Sequence, residues 1–469
     1  MDAQLELNAA AIGGKDSMSG SFLDKDVPPT LISFAIAPIK ADEVLSPEFK
    51  EAGHPVYLFA PDEEGAESQK AAWEAFYALH KAGKVKAAWA VENGIAEGIM
   101  KMSFGNKIGF KSTLCDDWYA ADMNGFIVAE LCEEVENTYA FKLGETTAEE
   151  VIDLAGDSAT IDELIAINEG VLEGIYATSA PAKGDTPVFA HEKASAAAPV
   201  IKCARPKVLI PVFPGTNCEY DSAKAVENAG AEAEIVVIRN LSADDVAKSV
   251  EKIAGKIAES QMIFIPGGFS GGDEPDGSAK FITSFFRNPA VKEEVTKLLE
   301  QRDGLMLGIC NGFQALIKLG LVPYGKIIDT DENCPTLTYN IISRHQSKIV
   351  RTRVCTNNSP WLAGTEVGQI YNVPISHGEG RFLASDALVK ELAAKGQIAT
   401  QYVDLAGNPT MDTAFNPNGS ICAIEGIVSP DGRVLGKMGH SERIGKDLYK
   451  NVPGEYDMKL FASAVKYFK

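Results

Sequence analysis

The chain of 469 residues is long enough for two to four domains, and its 45% hydrophobic and 23% charged residues are typical of a globular protein. A formal net charge of −21, without a basic patch, argues against nucleic acid or an anionic membrane surface as a partner. The sequence shows no signal peptide, no apolar run of membrane-spanning length and no close pairs among its eight cysteines, so we expect a cytoplasmic protein with reduced thiols.

A glycine-rich stretch, Ala-Ile-Gly-Gly-Lys-Asp-Ser-Met-Ser-Gly, occupies residues 11–20. Two interpretations are open: a plain turn, or a phosphate loop in which Lys15 and Ser17 contact a nucleotide. The stretch fails the P-loop pattern, because Asp16 follows the lysine where Ser or Thr is needed.

Helix and strand patterns divide the rest of the chain into two parts. In the first part, a strand pattern covers residues 30–37, and helical patterns cover residues 69–82 and 96–104. Residues 178–206 are rich in Pro, Ala and other small residues without periodicity, so we place an interdomain linker at residues 181–206. In the second part, strand patterns cover residues 207–213, 233–238, 262–265 and 304–309, and helical patterns cover 221–230 and 244–259. This alternation predicts βαβ units and a parallel sheet with helices on both faces.

A glycine-dense loop, Phe264-Ile-Pro-Gly-Gly-Phe-Ser-Gly-Gly-Asp273, ends the strand pattern over residues 262–265. It is expected at the carboxyl edge of the sheet, where α/β proteins place their sites. The N–H of Gly268 can supply half of an oxyanion hole there. The alternatives are a flexible loop or a phosphate cradle, and the cradle is disfavoured because no Lys-Ser/Thr pair follows the glycines.

The strand pattern over residues 304–309 leads into a second motif, Gly308-Ile-Cys-Asn-Gly312. This is the spacing of a strand-to-helix elbow with Cys310 as the nucleophile, and its two glycines permit the sharp turn. Amides at the start of the following helix favour the thiolate. The N–H of Asn311 is the candidate for the other half of the oxyanion hole. A buried structural cysteine is the alternative interpretation.

Three of the six histidines, His345, His377 and His440, lie near other site signals. His440 follows a strand pattern over residues 432–437, and Glu442 is on the same side of an extended segment. A carboxylate there can orient the imidazole, as in a nucleophile–base–acid triad. His377 precedes a glycine-rich loop, so His440 is the expected base. The alternative interpretation of the His-x-Glu pair is surface charge.

Several ordered motifs in residues 207–469 resemble those of a class I, triad-type glutamine amidotransferase domain, and more narrowly the glutaminase of the phosphoribosylformylglycinamidine synthase family. They are Val212-Phe-Pro-Gly-Thr-Asn-Cys-Glu-Tyr-Asp-Ser-Ala223, Pro266-Gly-Gly-Phe-Ser270, Gly308-Ile-Cys-Asn-Gly-Phe-Gln314, Ser376-His-Gly-Glu-Gly-Arg381 and the terminal His440-x-Glu442. The resemblance implies a flavodoxin-like α/β fold and glutamine hydrolysis through a cysteine thioester. The candidate residues are Cys310, His440 and Glu442 for catalysis, Gly268 and Asn311 for the oxyanion hole, and Phe269, Gln314 and His377 for glutamine binding.

Residues 1–180 resemble the end of the same family's synthase portion. Gly13-Gly-Lys-Asp-Ser-Met-Ser19 is similar to the start of the C-terminal half of its second aminoimidazole-ribonucleotide-synthetase-like module, which implies an α+β domain. The family's main ATP and ribonucleotide sites lie in a preceding region that is absent here, so the chain resembles the C-terminal part of a large single-chain synthase. Two departures are Asn93, where the family has a magnesium-binding Asp, and Ser441, where many relatives have Pro.

These observations leave three functions open. The first is ammonia supply for the ATP-dependent amination of formylglycinamide ribonucleotide in purine biosynthesis. The second is a cysteine peptidase of the same fold, and the third is a non-catalytic partner module. The synthase-like segment favours the first. The expected partners are glutamine and the missing N-terminal synthase portion, on the same or a separate chain. No metal or cofactor is expected for glutamine hydrolysis, whereas the resemblance implies ATP and Mg²⁺ for the complete synthase.

Overall fold

The computed structural model describes all residues except 1, 18–19, 23, 114–122, 182, 185, 194, 196 and 270–278. The chain separates into two compact units, Met1–Tyr176 and Ala177–Lys469. Among the helices in the described part, none combines the length and apolar composition needed to cross a bilayer.

The first unit is an α+β domain, as predicted. Its strands are β1 (Ala11–Ser17), β2 (Gly20–Phe22), β3 (Lys25–Val27), β4 (Thr30–Ala35), β5 (Pro55–Phe59), β6 (Val85–Ala90), β7 (Gly109–Ser112), β8 (Ile127–Leu131), β9 (Ala140–Thr147), β10 (Val151–Leu154) and β11 (Asp157–Thr160). Its helices are α1 (Asp2–Glu6), α2 (Ala66–Lys81), α3 (Ile95–Phe104) and α4 (Ile161–Gly170). Seven strands form one sheet in the order β11-β10-β7-β9-β5-β8-β6, in which β10 and β7 are parallel and the other neighbours are antiparallel.

Helix α3 covers this sheet because its apolar residues recur at helical spacing. Ile95, Ile99 and Met102 lie on one face of the helix and are buried in a core with Val56 and Leu58 of the central strand β5. Burial of this face contributes about 1.5–3 kcal/mol for each large side chain. The sequence predicted α3 and α2 at nearly their observed positions.

The glycine-rich stretch is not the predicted turn. Residues 11–17 form β1, which pairs antiparallel with β4. A Cβ on Gly14 would lie 2.7 Å from the carbonyl oxygen of Ile32, so the two strands approach closely only because this residue is glycine. Lys15 is exposed. Met18 and Ser19 lie outside the described residues, as does the side chain of Ser17, so its expected nucleotide contact stays a prediction.

The second unit is an α/β domain. Its strands are β12 (Lys207–Val212), β13 (Glu232–Val237), β14 (Met262–Ile265), β15 (Leu305–Ile309), β16 (Thr336–Thr338), β17 (Gln346–Val354), β18 (Ile370–His377), β19 (Arg381–Leu383), β20 (Ile398–Val403), β21 (Ile424–Val428) and β22 (Val434–Lys437). Its helices are α5 (Glu219–Asn228), α6 (Ala243–Glu259), α7 (Lys280–Phe286), α8 (Pro289–Glu300), α9 (Asn311–Leu319), α10 (Leu321–Tyr324), α11 (Asp386–Ala394) and α12 (Leu460–Tyr467). The nine-stranded main sheet has the order β13-β12-β14-β15-β22-β21-β20-β17-β18.

The strands from β13 to β22 in this order are parallel, which is the flavodoxin-like arrangement that the sequence predicted. Strand β15 buries all of its residues, as expected for a strand covered on both faces. The strands from β22 to β18 are antiparallel and extend the sheet beyond the prediction. Strand β17 alternates buried and partly buried residues over much of its length, so its pattern differs from that of the apolar parallel strands.

The segment that the sequence analysis assigns to a linker belongs to the second unit, which begins at Ala177. The N–H of Phe189 donates to Oε1 of Gln401 at 3.0 Å. The N–H of His191 donates to the carbonyl of Cys355 at 2.9 Å. These bonds hold the described residues of the segment on the domain that contains the candidate site. The predicted domain limits at 180 and 206 stay predictions.

Candidate active site

Cys310 lies at the turn between β15 and α9, at the carboxyl edge of the parallel strands. Its φ of 54° and ψ of −108° are a rare backbone conformation for a residue with a side chain, with a cost of about 1–3 kcal/mol. Both flanking glycines are needed. A Cβ on Gly308 would lie 2.6 Å from the backbone of Gly312, and one on Gly312 would lie 2.0 Å from the carbonyl oxygen of Ile265. The structure therefore contains the predicted elbow.

His440 and Glu442 form a buried pair just beyond the end of β22. Nδ1 of His440 lies 2.6 Å from Oε1 of Glu442. The backbone N–H of His440 donates to the carbonyl of Pro374 at 2.9 Å, which ties the histidine to β18. Both side chains are buried, so the surface-charge interpretation of this motif is wrong. A carboxylate at Nδ1 leaves Nε2 as the ring nitrogen available for proton transfer.

The electrostatic surroundings of His440 favour its protonated form. Burial alone lowers the pKa of His440, but the charge of Glu442 and hydrogen bonds to Cys218, Cys310 and Glu442 raise it well above its ordinary value. The imidazolium can therefore stabilise a thiolate on Cys310. The influence of Cys310 on this pKa places the predicted nucleophile close to the predicted base.

Gly267 lies beside both Cys310 and His440. A Cβ at this position would lie 2.7 Å from Cε1 of His440 and 3.3 Å from Cβ of Cys310. Its neighbour Gly268 has a φ of 147°, and a Cβ there would lie 2.5 Å from the carbonyl oxygen of Gly215. The predicted oxyanion loop thus reaches the nucleophile through two positions that require glycine. Residues 270–278 of the loop lie outside the described residues.

The two predicted oxyanion donors come from different segments of the chain. Asn311 is the first residue of α9, directly after Cys310. Gly268 is held in place because the N–H of Phe269 donates to the carbonyl of Gly215 at 2.8 Å. The assignment of their N–H groups to an oxyanion stays a prediction.

The three candidate glutamine contacts differ in their surroundings. Gln314 is buried and bonded at both ends of its amide, accepting from Nδ2 of Asn311 at 2.8 Å and donating to the carbonyl of Glu379 at 2.5 Å. His377 is buried at the end of β18, where burial and the nearby His440 and His345 lower its pKa well below the ordinary value. Phe269 is 39% exposed and is the most accessible of the three.

A second sulfur near His440 was not predicted. Cys218 is buried at the start of α5, and its Sγ lies 3.9 Å from Nδ1 of His440. Nη2 of Arg443 lies 3.1 Å from the same sulfur. Cys218 is part of the motif over residues 212–223, but nothing in its local spacing indicates contact with a residue so distant in sequence.

In the first unit, Lys15 and Asn93 are the residues that bear on the expected binding of ATP and Mg²⁺. Lys15 and Asn93 are exposed, and an amide at position 93 is a weaker Mg²⁺ ligand than a carboxylate. Within the described parts of the chain, the group of three His, Cys, Asp or Glu side chains suited to a metal is Cys218, His440 and Glu442, in the second unit. Asn93 therefore does not supply the carboxylate that the family uses for Mg²⁺, and the expected contact of Lys15 with a nucleotide stays a prediction.

The sequence profile of the CobB/CobQ-like glutamine amidotransferase domain matches residues 205–468, more than half of the chain. The chain belongs to this glutamine amidotransferase family. It is 35% identical to phosphoribosylformylglycinamidine synthase subunit PurQ of Methanococcus maripaludis over 257 residues, 54% of this chain and 87% of that protein. It is also 35% identical to the subunit of the same name from Sulfurimonas denitrificans over 237 residues, 50% of this chain and 90% of that protein.

A solved structure, PurLQS from Thermotoga maritima, is also similar. The match has 28% sequence identity and a TM-score of 0.41, and it covers 56% of this chain and all of that one.

Proposed function

We propose that the second unit hydrolyses glutamine through a Cys310 thioester and supplies ammonia as the amidotransferase part of a phosphoribosylformylglycinamidine synthase. The observation that carries this proposal is the buried pair of His440 and Glu442, 2.6 Å apart, with His440 and Cys310 side by side at Gly267. The identity of 35% to subunits of that synthase supports the choice of reaction.

The chemistry begins when the thiolate of Cys310 attacks the side-chain amide carbon of glutamine. The N–H groups of Gly268 and Asn311 stabilise the tetrahedral oxyanion. The carbon–nitrogen bond then breaks, and ammonia leaves with a proton from His440. In the second half, His440 takes a proton from water, which attacks the thioester and releases glutamate and Cys310. Glu442 keeps the imidazole oriented throughout.

The ammonia is consumed by a synthase portion that aminates formylglycinamide ribonucleotide with ATP. Because Asn93 stands where the family has a magnesium-binding Asp, we place the ATP and Mg²⁺ site on other synthase residues, on this or a separate chain. The chain of 469 residues alone is therefore expected to release glutamate from glutamine but to make no formylglycinamidine ribonucleotide.

The test is glutamate release from glutamine by the purified chain, compared with Cys310→Ala. We expect release above background in the wild type and none in the variant, with unchanged circular dichroism. A preference for peptides over glutamine would favour the cysteine peptidase. No release, even with an added synthase portion, would favour the non-catalytic module. Ribonucleotide amination by the chain alone, with ammonia and ATP, would contradict the assignment of the ATP site.

A further inference from the structure

Three side chains with metal-binding atoms meet at the Nδ1 edge of the His440 ring. Sγ of Cys218 lies 3.9 Å from Nδ1, and Oε1 of Glu442 lies 2.6 Å from it. The ligand atoms of the three side chains all lie within 4.8 Å of one another, and all three residues are buried. Cys310 is not a member of this group.

A second observation indicates a ligand at this place. Oε2 of Glu442 is buried and has no hydrogen-bond partner in the part of the chain that the structure describes. A buried carboxylate oxygen without a partner is costly, and a cation is one of the groups that can satisfy it.

We infer that Cys218, His440 and Glu442 form a binding site for Zn²⁺ that inhibits the amidotransferase. A thiolate, an imidazole and a carboxylate are the donor types that zinc takes in proteins, and three protein ligands leave a fourth position for water. Harder cations such as Mg²⁺ and Ca²⁺ prefer oxygen ligands and are excluded by the sulfur.

The observed distances require only a small rearrangement. Tetrahedral zinc with bonds of about 2.0 Å to nitrogen and about 2.3 Å to sulfur needs those ligand atoms about 3.5 Å apart. The observed distance between Sγ and Nδ1 is 3.9 Å. The contact of 2.6 Å between Nδ1 and Glu442 must open, because the metal replaces the proton there.

Zinc binding and the catalytic arrangement of His440 and Glu442 therefore cannot exist at the same time. Zinc on Nδ1 removes the hydrogen bond by which Glu442 orients the imidazole for Cys310. This consequence rests on the proposed function, whereas zinc binding itself does not.

The positive charge of Arg443 disfavours a metal ion at Cys218. Its Nη2 lies 3.1 Å from Sγ of Cys218, so the guanidinium must leave the sulfur when zinc binds. Asp221 offers it another partner, since Oδ2 lies 3.8 Å from Nε of Arg443. Removing this positive charge in Arg443→Gln is expected to tighten zinc binding.

The test measures metal binding directly, with Zn²⁺ in competition with a chelator and with Co²⁺ as a spectroscopic probe. The wild type is expected to bind one Zn²⁺ and to show a thiolate-to-cobalt absorption band. Cys218→Ser and Cys218→Ala should bind zinc at least about tenfold more weakly and lose the band. Cys310→Ala should keep both, and the exposed Cys132→Ser is the matched control. Urea unfolding of each variant shows whether it is folded.

The opposite pattern, in which Cys310→Ala loses the cobalt band and the Cys218 variants keep it, would place the metal on the nucleophile and overturn the inference. Equal binding by all variants, or no binding by the wild type, would also overturn it. In glutamine hydrolysis, low zinc concentrations should inhibit the wild type, a chelator should restore it, and Cys218→Ser should resist. Zinc binding without loss of glutamine hydrolysis would contradict the inference that the metal inhibits the amidotransferase. If the chain hydrolyses no glutamine, the proposed function fails but the cobalt spectra still decide the site.

Discussion

Nζ of Lys437 lies 3.1 Å from Oε1 of Glu425, and both side chains are buried beneath the turn that holds His440. The same ammonium donates to the carbonyl of Gly439 and to Oγ of Ser441, each at 3.0 Å. Oε1 of Glu425 also accepts from the N–H of Gly439 at 2.6 Å. The ion pair thus fixes the backbone just before the predicted catalytic base and the side chain just after it.

Lys437→Met is expected to destabilise the domain strongly, by about 3–5 kcal/mol, because it leaves the Glu425 carboxylate buried without its cation. Urea unfolding measures the loss. Adding Glu425→Gln should restore most of the stability, since the amide can still accept from Gly439. The matched control is Lys459→Met, whose ion pair with Asp457 is exposed and should be worth about 1 kcal/mol or less. Equal effects of the two lysine variants would show that the buried ion pair of Lys437 and Glu425 is worth no more than an exposed one.

Gly267→Ala tests how closely the base must lie to the nucleophile. The new Cβ would lie 2.7 Å from Cε1 of His440, so the ring must move. We expect kcat for glutamine to fall by about 10²–10⁴-fold, the usual contribution of a positioned base. Gly255→Ala, in helix α6 with open space around it, is the control and should leave kcat unchanged. Activity retained in Gly267→Ala would show that the His440 ring can move away from residue 267 without loss of function.

His440→Ala and His377→Ala separate the base from its neighbour. Loss of His440 should abolish glutamine turnover and covalent labelling of Cys310 by a glutamine-like electrophile at neutral pH, because the thiolate loses its imidazolium. Loss of His377 should weaken glutamine binding while labelling persists. Mass spectrometry of the labelled peptide gives the result. Labelling that survives in His440→Ala and disappears in His377→Ala would reverse the assignment.

Cys355 makes the domain sensitive to alkaline pH. Burial raises the pKa of its thiol to about 12. The unfolded thiol has a pKa of about 8.5, so at higher pH the unfolded chain loses a proton that the folded chain keeps. The thiol's contribution to stability is therefore complete below about pH 8.5 and declines as the pH rises toward 12.

The measurement is the free energy of unfolding in urea at pH 8 and pH 10. The wild type should lose about 2 kcal/mol more than Cys355→Ala between these values. Cys132→Ser, which changes an exposed thiol, should keep the wild-type difference. Parallel pH dependence in the wild type and Cys355→Ala would show that this thiol does not contribute.

The parts that were predictable from the sequence are those in which local spacing decides the geometry. The elbow around Cys310 needs a glycine on either side. The pairing of His440 with Glu442 was also predicted, but from an extended segment, whereas residues 441–442 form a turn in which the N–H of Arg443 donates to the carbonyl of His440 at 3.2 Å. The position of Cys218 could not be predicted in this way. It depends on the loop after β12 lying beside the loop after β14, where the N–H of Asn217 donates to the carbonyl of Gly267 at 3.3 Å.

The turn predicted at the glycine-rich stretch was wrong, again because contacts between distant parts of the chain decide the structure. Local glycine content favours turns, but here β1 pairs with β4. Gly14 allows the two strands to approach closely. The antiparallel strands from β17 to β21 escaped prediction because the helix–strand alternation that identified the parallel strands does not extend to them.

Strands β15 and β22 are neighbours, and their register pairs Ile309 with Lys437. The N–H of Cys310 donates to the carbonyl of Lys437 at 3.0 Å, so the backbone ladder itself sets the separation of thiol and imidazole. Residues 311–433 lie between these two strands in sequence, and their strands β21, β20, β17 and β18 extend the same sheet on the other side of β22. Exposed loops in that interval, such as the turn around Gly407, can therefore lengthen or shorten without altering the distance between the reacting groups. Evolution or an engineer can change such a loop while the predicted nucleophile and base keep their spacing.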